Sequence, residues 1–220
     1  MSDGWTTLWV SLFLISTVAF ILLSIYVLVG ALRTAVTKPL PKEAREVLRF
    51  WFLELKPEHW FKRDDGVDRQ IRERFGALHD RLRREIPPVW LKTARGRLAA
   101  VIVLDQFSRN LYRDDRRAFV EDGKALTLAE DTIERDLAKY LSKPERKFLF
   151  MPFQHAEDRA TQAQSVALFE TLDDPEALEF ARKHKEIIDR FGRFPHRNKV
   201  LGRKNKKGEA AFLKKNAWFW

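Results

Sequence analysis

The chain contains no cysteine among its 220 residues. This excludes disulfide bonds and metal sites built from thiolates. Nine glycines are present, but none forms a glycine-rich phosphate loop or a G-x-S-x-G nucleophile turn, and no H-E-x-x-H pair of metal-binding histidines occurs. No strong catalytic motif is therefore present, so any functional site must come from side chains that the fold brings together.

Charge is absent from one long segment near the start. Leu8 to Leu32 is 25 residues long and contains no Asp, Glu, Lys or Arg. About 20 apolar residues suffice to cross the hydrocarbon core of a bilayer. A cleavable signal would have basic residues before a shorter apolar core, whereas Asp3 is the one charged side chain before this run. We predict an uncleaved transmembrane anchor within residues 1–32, in contact with membrane lipid through Leu8 to Leu32.

The charges that flank this run predict its orientation. Arg33, Lys38 and Lys42 follow it, and no Lys or Arg precedes it. The positive-inside rule then places the N-terminus outside and the rest of the chain in the cytoplasm. We expect a single-pass protein of the inner (plasma) membrane, with a linker over residues 33–42 and a helical domain over residues 43–220.

Basic residues outnumber acidic residues, which gives a formal net charge of +10. Such an excess favours anionic partners, including nucleic acid, acidic lipid and acidic protein. The basic side chains are interleaved with acidic ones along most of the chain, which is also typical of an ordinary solvated surface. Binding to nucleic acid is therefore not expected, and a protein partner or a membrane complex is the better prediction.

Apolar spacing after the linker predicts helices. Ile71, Phe75, Leu78 and Leu82 follow one another at steps of four, three and four, which is typical of an amphipathic helix. The stretch from Leu98 to Leu104 is apolar on almost all sides, which predicts a buried central helix.

Helix boundaries are also visible in the sequence. Asp174 before Pro175 predicts a capped helix start, and Gly192 predicts the left-handed residue that ends the same helix. A further break is expected at Pro152. Sustained β alternation is hard to find. We predict an all-α domain of about seven to eight helices arranged as antiparallel pairs.

Three groups of polar residues are candidates for a site. The first is Asp105, which follows the apolar run and precedes Arg109 by one helical turn. An exposed pair at this spacing contributes only a few tenths of a kcal/mol. A buried pair must stay together, because an unpaired buried charge is strongly destabilising. Fixation of helix packing and a role in a site are both compatible with this pattern.

The second group lies in "MPFQHAEDRATQAQS". On one continuous helix, His155, Asp158, Gln162 and Ser165 form a polar stripe at steps of three, four and three. The stripe predicts a face toward solvent, a hydrogen-bonded network in the core, or a cleft in which Glu157 and Asp158 lie beside His155. The single histidine matches no zinc spacing, so no metal or other cofactor is expected.

The third group is "RFGRFPHRN", Arg190 to Asn198. The chain must turn at Gly192, and the two phenylalanines are expected to bury and fix that turn. Arginine side chains that project from a fixed corner suit the bidentate binding of carboxylate or phosphate. They equally suit a structural corner in which they pair with Asp105, Glu157 and Asp158, and the sequence leaves both interpretations open.

These stretches resemble a known bacterial family, the domain of unknown function 924. The similar segments are "LDQFSRNLYR", "FLFMPFQHAED", "QSVALF", "KHKEIIDRFGRFPHRN" and "LGR", within a match from about Val47 to Phe219. The resemblance implies a tetratricopeptide-like helical fold and implies no activity. Ser108 and Gln154 depart from the residues usual in the family, and a membrane span is not a usual part of it.

Two functional hypotheses follow. The first is a membrane-tethered helical interaction module, for example an accessory subunit of a larger membrane complex. The second is an enzyme or a small-anion-binding protein with a His/Asp/Arg pocket. The candidate pocket residues are Asp105, Arg109, Asn110, His155, Glu157, Asp158, Gln162, His184, Arg190, Arg193, His196, Arg197 and Asn198.

Overall fold

The computed structural model describes residues 40–216, and that part of the chain contains eight helices and no strand. The fold class predicted from the sequence is thus confirmed for this part. The helices are α1 (Lys42–Arg49, continued by a π-helical turn, Phe50–Glu54), α2 (Asp65–Arg84), α3 (Ala94–Val101, continued by a π-helical segment, Ile102–Phe107, and by Ser108–Leu111), α4 (Asp122–Glu134), α5 (Lys143–His155), α6 (Arg159–Glu170), α7 (Pro175–Phe191) and α8 (Glu209–Lys215).

The centre of the domain is α3. Every residue from Leu98 to Leu104 has no exposed surface, as the apolar run predicts, and α3 packs against α1, α2, α4 and α5. The π-helical segment lies in this buried stretch and carries Asp105 into the interior. The core helix thus carries a carboxylate into the interior, where it needs buried polar partners.

Aromatic rings fill the space between α1, α2, α3 and α5. Phe107 lies 5.1 Å from Phe75 and 5.7 Å from Trp51 between ring centroids, and Trp51 meets Phe148 edge-on at 5.3 Å. Buried aromatic pairs in tilted and edge-to-face geometry contribute about 0.5–1.5 kcal/mol beyond the burial of their surface. These contacts hold α3 and α5, the helices that carry Asp105 and His155, in place relative to each other.

Helix ends follow the local signals. Asp174 accepts a hydrogen bond from the backbone N–H of Ala177 at 3.1 Å, so it caps α7, whose first residue is Pro175. Gly192 ends α7 in the left-handed conformation, with φ of 69°. Both predictions are confirmed. Consecutive helices pack against each other, most extensively α6 with α7. The tetratricopeptide-like arrangement of antiparallel pairs stays a prediction.

The predicted break at Pro152 is wrong. Helix α5 continues through Pro152 to His155, and the chain becomes extended at Ala156, where ψ is 136°. A proline inside a helix removes one backbone hydrogen bond, but Met151 and Phe153 on either side are buried. Packing against the core therefore holds the helix together across the missing hydrogen bond.

Beyond α7 lies a smaller apolar cluster. Ile187, Ile188 and Phe194 are its buried members, and Phe191 and Phe212 pack against it with their rings 5.2 Å apart. This cluster fastens α8 and the corner after Gly192 to the last long helix. The predicted burial of Phe194 in the corner is confirmed.

No helix between residues 40 and 216 is both long and apolar enough to cross a bilayer. The predicted anchor at Leu8 to Leu32 and most of the predicted linker lie outside the described residues. They remain predictions from the sequence.

Candidate functional site

A cleft of about 400 Å³ lies between residues 116–126, the end of α5 and the corner that follows Gly192. We call it the His155 cleft. It lies between the 3-10 turn Arg116–Phe119, the start of α4, the end of α5 and the 3-10 turn Pro195–Arg197. Its lining consists of Arg116, Phe119, Val120, Asp122, Gly123, Leu126, Pro152, His155, Ala156, Glu157, Arg197 and Leu201.

An aspartate and a histidine form a pair at the back of this cleft. The Nδ1 atom of His155, the last residue of α5, lies 2.8 Å from Oδ1 of Asp105 on α3. The Asp105 side chain has no exposed surface, and that of His155 is 13% exposed. The His155 Nε2 atom has no hydrogen-bond partner in residues 40–216, yet it is not a buried atom, so it is accessible from the cleft.

Electrostatics sets the protonation state of this pair. Burial raises the pKa of Asp105, but the neighbouring Arg109 and His155 outweigh this effect and hold that pKa below its usual range. Burial, followed by the positive charge of Arg109, lowers the pKa of His155. At neutral pH the carboxylate is therefore ionised and the imidazole is neutral. An ionised carboxylate can only accept, so Nδ1 carries the proton and Nε2 presents its lone pair to the cleft.

Asp122 links two arginines beside this pair. It accepts hydrogen bonds from Arg109 Nη1 and Nη2 at 3.1 and 3.2 Å, and Nη1 of Arg197 lies 3.4 Å from its Oδ2. Arg109 also lies 3.0 Å from Asp105 Oδ1. The result is an alternating chain of charges, Asp105–Arg109–Asp122–Arg197, along one wall of the cleft. This arrangement satisfies the charges that α3 carries into the interior.

Of the two arginines that line the cleft, Arg197 is buried and Arg116 is exposed. Its Nη2 donates to the His155 carbonyl at 3.0 Å, and its guanidinium lies 4.6 Å from the centre of the Phe119 ring. Its Nε is buried without a hydrogen-bond partner. Burial lowers the pKa of Arg197 to about 10, so the side chain stays charged at neutral pH.

Two further histidines, both half-buried, lie near the Asp105–His155 pair. Burial lowers the pKa of His184 on α7 to about 3, and burial together with Arg197 lowers the pKa of His196 to about 2. His184 Nδ1 donates to the Phe180 carbonyl at 2.8 Å. Both rings are neutral at neutral pH. Among the three neighbouring histidines, His155 is the one that lines the cleft.

The arginines of the corner have other partners than predicted. Arg193 binds Glu209 through Nε and Nη2, both at 2.8 Å, and Arg197 binds Asp122. Neither forms an ion pair with Asp105, Glu157 or Asp158, so the partners named for a structural corner are not the ones observed. Asn198 donates to Glu209 at 2.9 Å. Arg193 and Asn198 fasten α8 to the corner, while Arg197 points into the cleft wall.

The predicted polar stripe is also wrong, because His155 and Asp158 lie on either side of a helix boundary. Asp158 is the exposed cap of α6 and accepts from the Thr161 backbone N–H at 2.8 Å. Gln162 is buried, and its amide donates to the Gln154 and Ala156 carbonyls, both at 2.8 Å. Gln162 therefore satisfies backbone carbonyls at the end of α5. Neither Asp158 nor Gln162 lines the cleft.

Two other candidates lie away from the cleft. Asn110 donates to Asp68 at 2.8 Å and belongs to a separate polar cluster with Arg113. Arg190 is exposed and stacks over Phe191, 4.7 Å from its ring centre. Of the predicted set, the residues gathered at or directly behind the cleft are Asp105, Arg109, His155, Glu157, His184, His196 and Arg197.

Sequence reasoning missed Asp122, Arg116 and Arg203. Charge balance could have indicated Asp122. Arg109 and Arg197 are both candidates near Asp105, and two arginines near one buried aspartate need a second carboxylate. Nothing in the spacing marks Arg116. Between residues 40 and 216, no three His, Asp or Glu side chains come together in a group that could hold a metal ion.

Comparison with known proteins gives two matches. The sequence model of a bacterial protein family of unknown function, DUF924, matches residues 47–217. The chain belongs to the DUF924 family. A solved structure of a protein of unknown function from Agrobacterium tumefaciens is similar to this DUF924 chain, at 34% sequence identity and a TM-score of 0.76. The similarity covers 81% of this chain and 100% of that one. No curated protein matches.

Proposed function

We propose that the domain binds a small carboxylate- or phosphate-bearing ligand in the His155 cleft. The observation that carries this proposal is a surplus of positive charge. The acidic side chains of the lining, Asp122 and Glu157, are both in ion pairs, with Arg109 and Arg197 and with Arg203 respectively. Arg116 lines the same cleft, is exposed, and forms no ion pair with any residue that the structure describes.

The shape of the cleft supports a small ligand. Its volume of about 400 Å³ lies within the range of about 300–1,000 Å³ that is typical of small-molecule sites. Much of the lining is apolar, including Phe119, Leu126 and Pro152. The ligand that fits is therefore a molecule with one anionic group at the Arg116 side and a short apolar body.

Calorimetric titration with succinate and with inorganic phosphate tests this proposal. Removal of the Arg116 charge (R116Q) should weaken anion binding by about tenfold, since one charge-assisted hydrogen bond contributes about 1.5–3 kcal/mol. Arg69, an exposed arginine on α2 that does not line the cleft, supplies the matched control, R69Q, which should bind as the unaltered protein does. Neutral succinamide should not bind. Equal effects of the two substitutions would contradict the proposal.

A second function is proposed for the whole chain, a membrane-tethered interaction module. It rests on the uncharged run Leu8 to Leu32 with basic residues after it. It also rests on two exposed apolar side chains, Leu53 at 79% and Phe61 at 60% exposure. The Phe61 ring lies 6.1 Å from that of Phe148 and 6.5 Å from that of Trp60, and contiguous exposed apolar surface is typical of protein contact sites. The anchor would hold this face near a partner subunit in the plasma membrane.

Membrane fractionation tests the anchor, and sedimentation tests the partner. The full chain should resist extraction by high salt and alkaline carbonate and be released by detergent, whereas a chain without residues 1–39 should be recovered without detergent. In mild detergent, the native protein should sediment as an assembly larger than the monomer, and L53S/F61S should reduce its size. Recovery of the intact chain without detergent would overturn the anchor.

A further inference from the structure

We infer that His155 is a general base that activates a water molecule for the hydrolysis of a small carboxylate-bearing ester bound in the His155 cleft. This inference rests on the proposed anion site and adds a reaction to it. It follows from the placement of three groups: a carboxylate behind the imidazole, a free imidazole nitrogen toward the cleft, and an unpaired guanidinium at its mouth.

The imidazole ring of His155 is held in one orientation. Asp105 holds the ring through Nδ1 at 2.8 Å, and Asp105 is itself fixed by Arg109 at 3.0 Å. Because the Asp105 side chain has no exposed surface and also accepts a hydrogen bond from Gln106, the carboxylate cannot turn away without leaving buried charges unpaired. A histidine oriented by a buried carboxylate, with its other nitrogen toward a cavity, has the arrangement that general bases use.

The residues that line the cleft limit the choice of nucleophile. The cleft lining contains no Ser, Thr, Tyr, Lys or Cys side chain. The two carboxylates of the lining, Asp122 and Glu157, are occupied by arginines. No side chain of the described lining is therefore suited to attack a carbonyl after activation by His155. Water is small enough to enter, and it is the remaining nucleophile that His155 Nε2 can deprotonate.

The proposed hydrolysis conserves atoms and protons without a further reactant. Nε2 takes a proton from water while the water oxygen forms a bond to the acyl carbon. The acyl–oxygen bond then breaks, and the leaving alcohol takes the proton from Nε2–H. His155 is neutral again at the end, and the products are an acid and an alcohol. The transient imidazolium lies against the Asp105 carboxylate, which stabilises its charge.

Arg116 determines which ester is accepted. Its guanidinium is at the mouth of the cleft and has no ion pair in residues 40–216. It can hold a carboxylate at the far end of the substrate while the ester lies near His155. Phe119 and Leu126 add apolar surface to the lining, against which the body of the substrate can pack. A short dicarboxylate monoester is the substrate class that matches this arrangement.

Release of nitrophenolate from para-nitrophenyl hemisuccinate tests the inference, with neutral para-nitrophenyl acetate for comparison. The hemisuccinate also reacts without protein, because its own carboxylate attacks the acyl carbon, so each rate is divided by the uncatalysed rate of the same ester. On this scale the protein should accelerate the anionic ester more than the neutral one. H155Q should lower kcat by about 100-fold or more. R116Q should raise KM and leave kcat nearly unchanged. H59Q is the matched control, because His59 lies on the turn Pro57–His59 and does not line the cleft.

Chemical rescue separates a reacting imidazole from a structural one. H155A should regain hydrolysis when free imidazole is added, because the cleft is open at this position. D105N should lower kcat without a change in KM, since Asp105 positions His155 and does not touch the substrate. Circular dichroism confirms that each variant is folded. If D105N fails to fold, the rescue of H155A decides the question.

The pH profile supplies an independent readout. Activity of the native protein should fall in acid with an apparent pKa below the usual histidine value. In imidazole-rescued H155A, the fall in activity should instead occur at the pKa of free imidazole. The charged and titratable groups that face His155 from the surrounding elements are Asp105, Arg109, Asp122, His184, His196 and Arg197.

The outcomes separate this inference from the anion site. Succinate binding without hydrolysis that depends on His155 overturns the inference and leaves the anion site in place. Equal accelerations of the charged and neutral esters over their uncatalysed rates also overturn it. Absence of both binding and hydrolysis overturns both proposals.

Discussion

Arg203 holds Glu157 with two nitrogens, Nη1 at 2.6 Å from one carboxylate oxygen and Nη2 at 3.0 Å from the other. The second oxygen also accepts the backbone N–H of Phe194 at 2.9 Å. These bonds tie the turn between α5 and α6 to the corner after α7. Since His155 ends α5 and Arg197 follows Phe194, this clamp fixes the two walls of the cleft relative to each other.

Substitution of Glu157 by Gln should therefore destabilise the domain. Glu157 and Arg203 are each 24% exposed, so the pair is partly desolvated. Loss of a hydrogen bond to a charged group costs about 1.5–3 kcal/mol. E157Q should lower the free energy of unfolding in urea by that amount, and a double-mutant cycle with R203Q should give a coupling energy above about 0.5 kcal/mol.

The Arg182–Glu170 pair is the matched control for this cycle. It has a similar N–O distance, 3.1 Å, but its partners are 57% and 52% exposed. Exposed ion pairs contribute about 0–1 kcal/mol because solvent and salt screen them. A coupling energy for Glu157 and Arg203 no larger than that of the control would show that the clamp does not hold the corner.

Buried Glu209 makes stability depend on pH. Hydrogen bonds from Arg193, with further ones from the Lys206 backbone N–H and Asn198, lower the pKa of Glu209 to about 2, against an ordinary value of 4.5. A carboxylate with a lowered pKa stabilises the fold above its unfolded pKa, and this stabilisation is lost as pH falls through the folded pKa. The relevant window is therefore from about pH 4.5 down to about pH 2.

E209Q should show this window directly. At pH 7 we expect it to lower the free energy of unfolding by about 2–3 kcal/mol, because Arg193 loses its charged partner. The difference from the native protein should shrink below pH 4.5 and approach zero near pH 2. Urea unfolding at a series of pH values measures it. A difference that does not change with pH would mean that the charge of Glu209 contributes nothing.

Much of the helical pattern could be predicted because its signals are local. Ile71 and Phe75 lie one turn apart, so their spacing alone identifies the buried face of α2, and both are buried. Gly192 marks a helix end by its own conformational freedom. Signals of this kind need no knowledge of the rest of the fold.

The site could be predicted only in part, because its contacts join distant residues. Asp105 and His155 are 50 positions apart, and Asp122 and Arg197 are 75 apart. Composition could mark these residues as unusual but could not pair them. The helical stripe failed for a local reason: Asp158 caps α6, and a cap with Thr161 three residues later is a start signal that spacing alone overlooks.

Gly192 and Gly76 should respond to alanine in opposite directions. A Cβ atom at either position would meet no atom within 4 Å, but Gly192 has φ of 69°, whereas Gly76 lies inside α2. G192A should cost about 1 kcal/mol, because the left-handed conformation is strained for alanine. G76A should stabilise by about 0.5–1 kcal/mol through its higher helix propensity. Thermal unfolding compares them, and a stabilising G192A would contradict the assignment.

Gly96 is required for a different reason, which is space. A Cβ atom here would lie 2.3 Å from the Trp90 carbonyl oxygen, a backbone atom, and 3.1 Å from Thr93 Oγ1. Trp90 is buried, so its backbone cannot retreat without moving a large side chain in the core. G96A should therefore lower the free energy of unfolding by about 1–3 kcal/mol, although the same substitution at Gly76 stabilises. Because Gly96 lies in the first turn of α3, the variant should also show faster amide exchange at the start of that helix. Native-like stability of G96A would mean that the turn before α3 is not packed as closely as the contact with Trp90 requires.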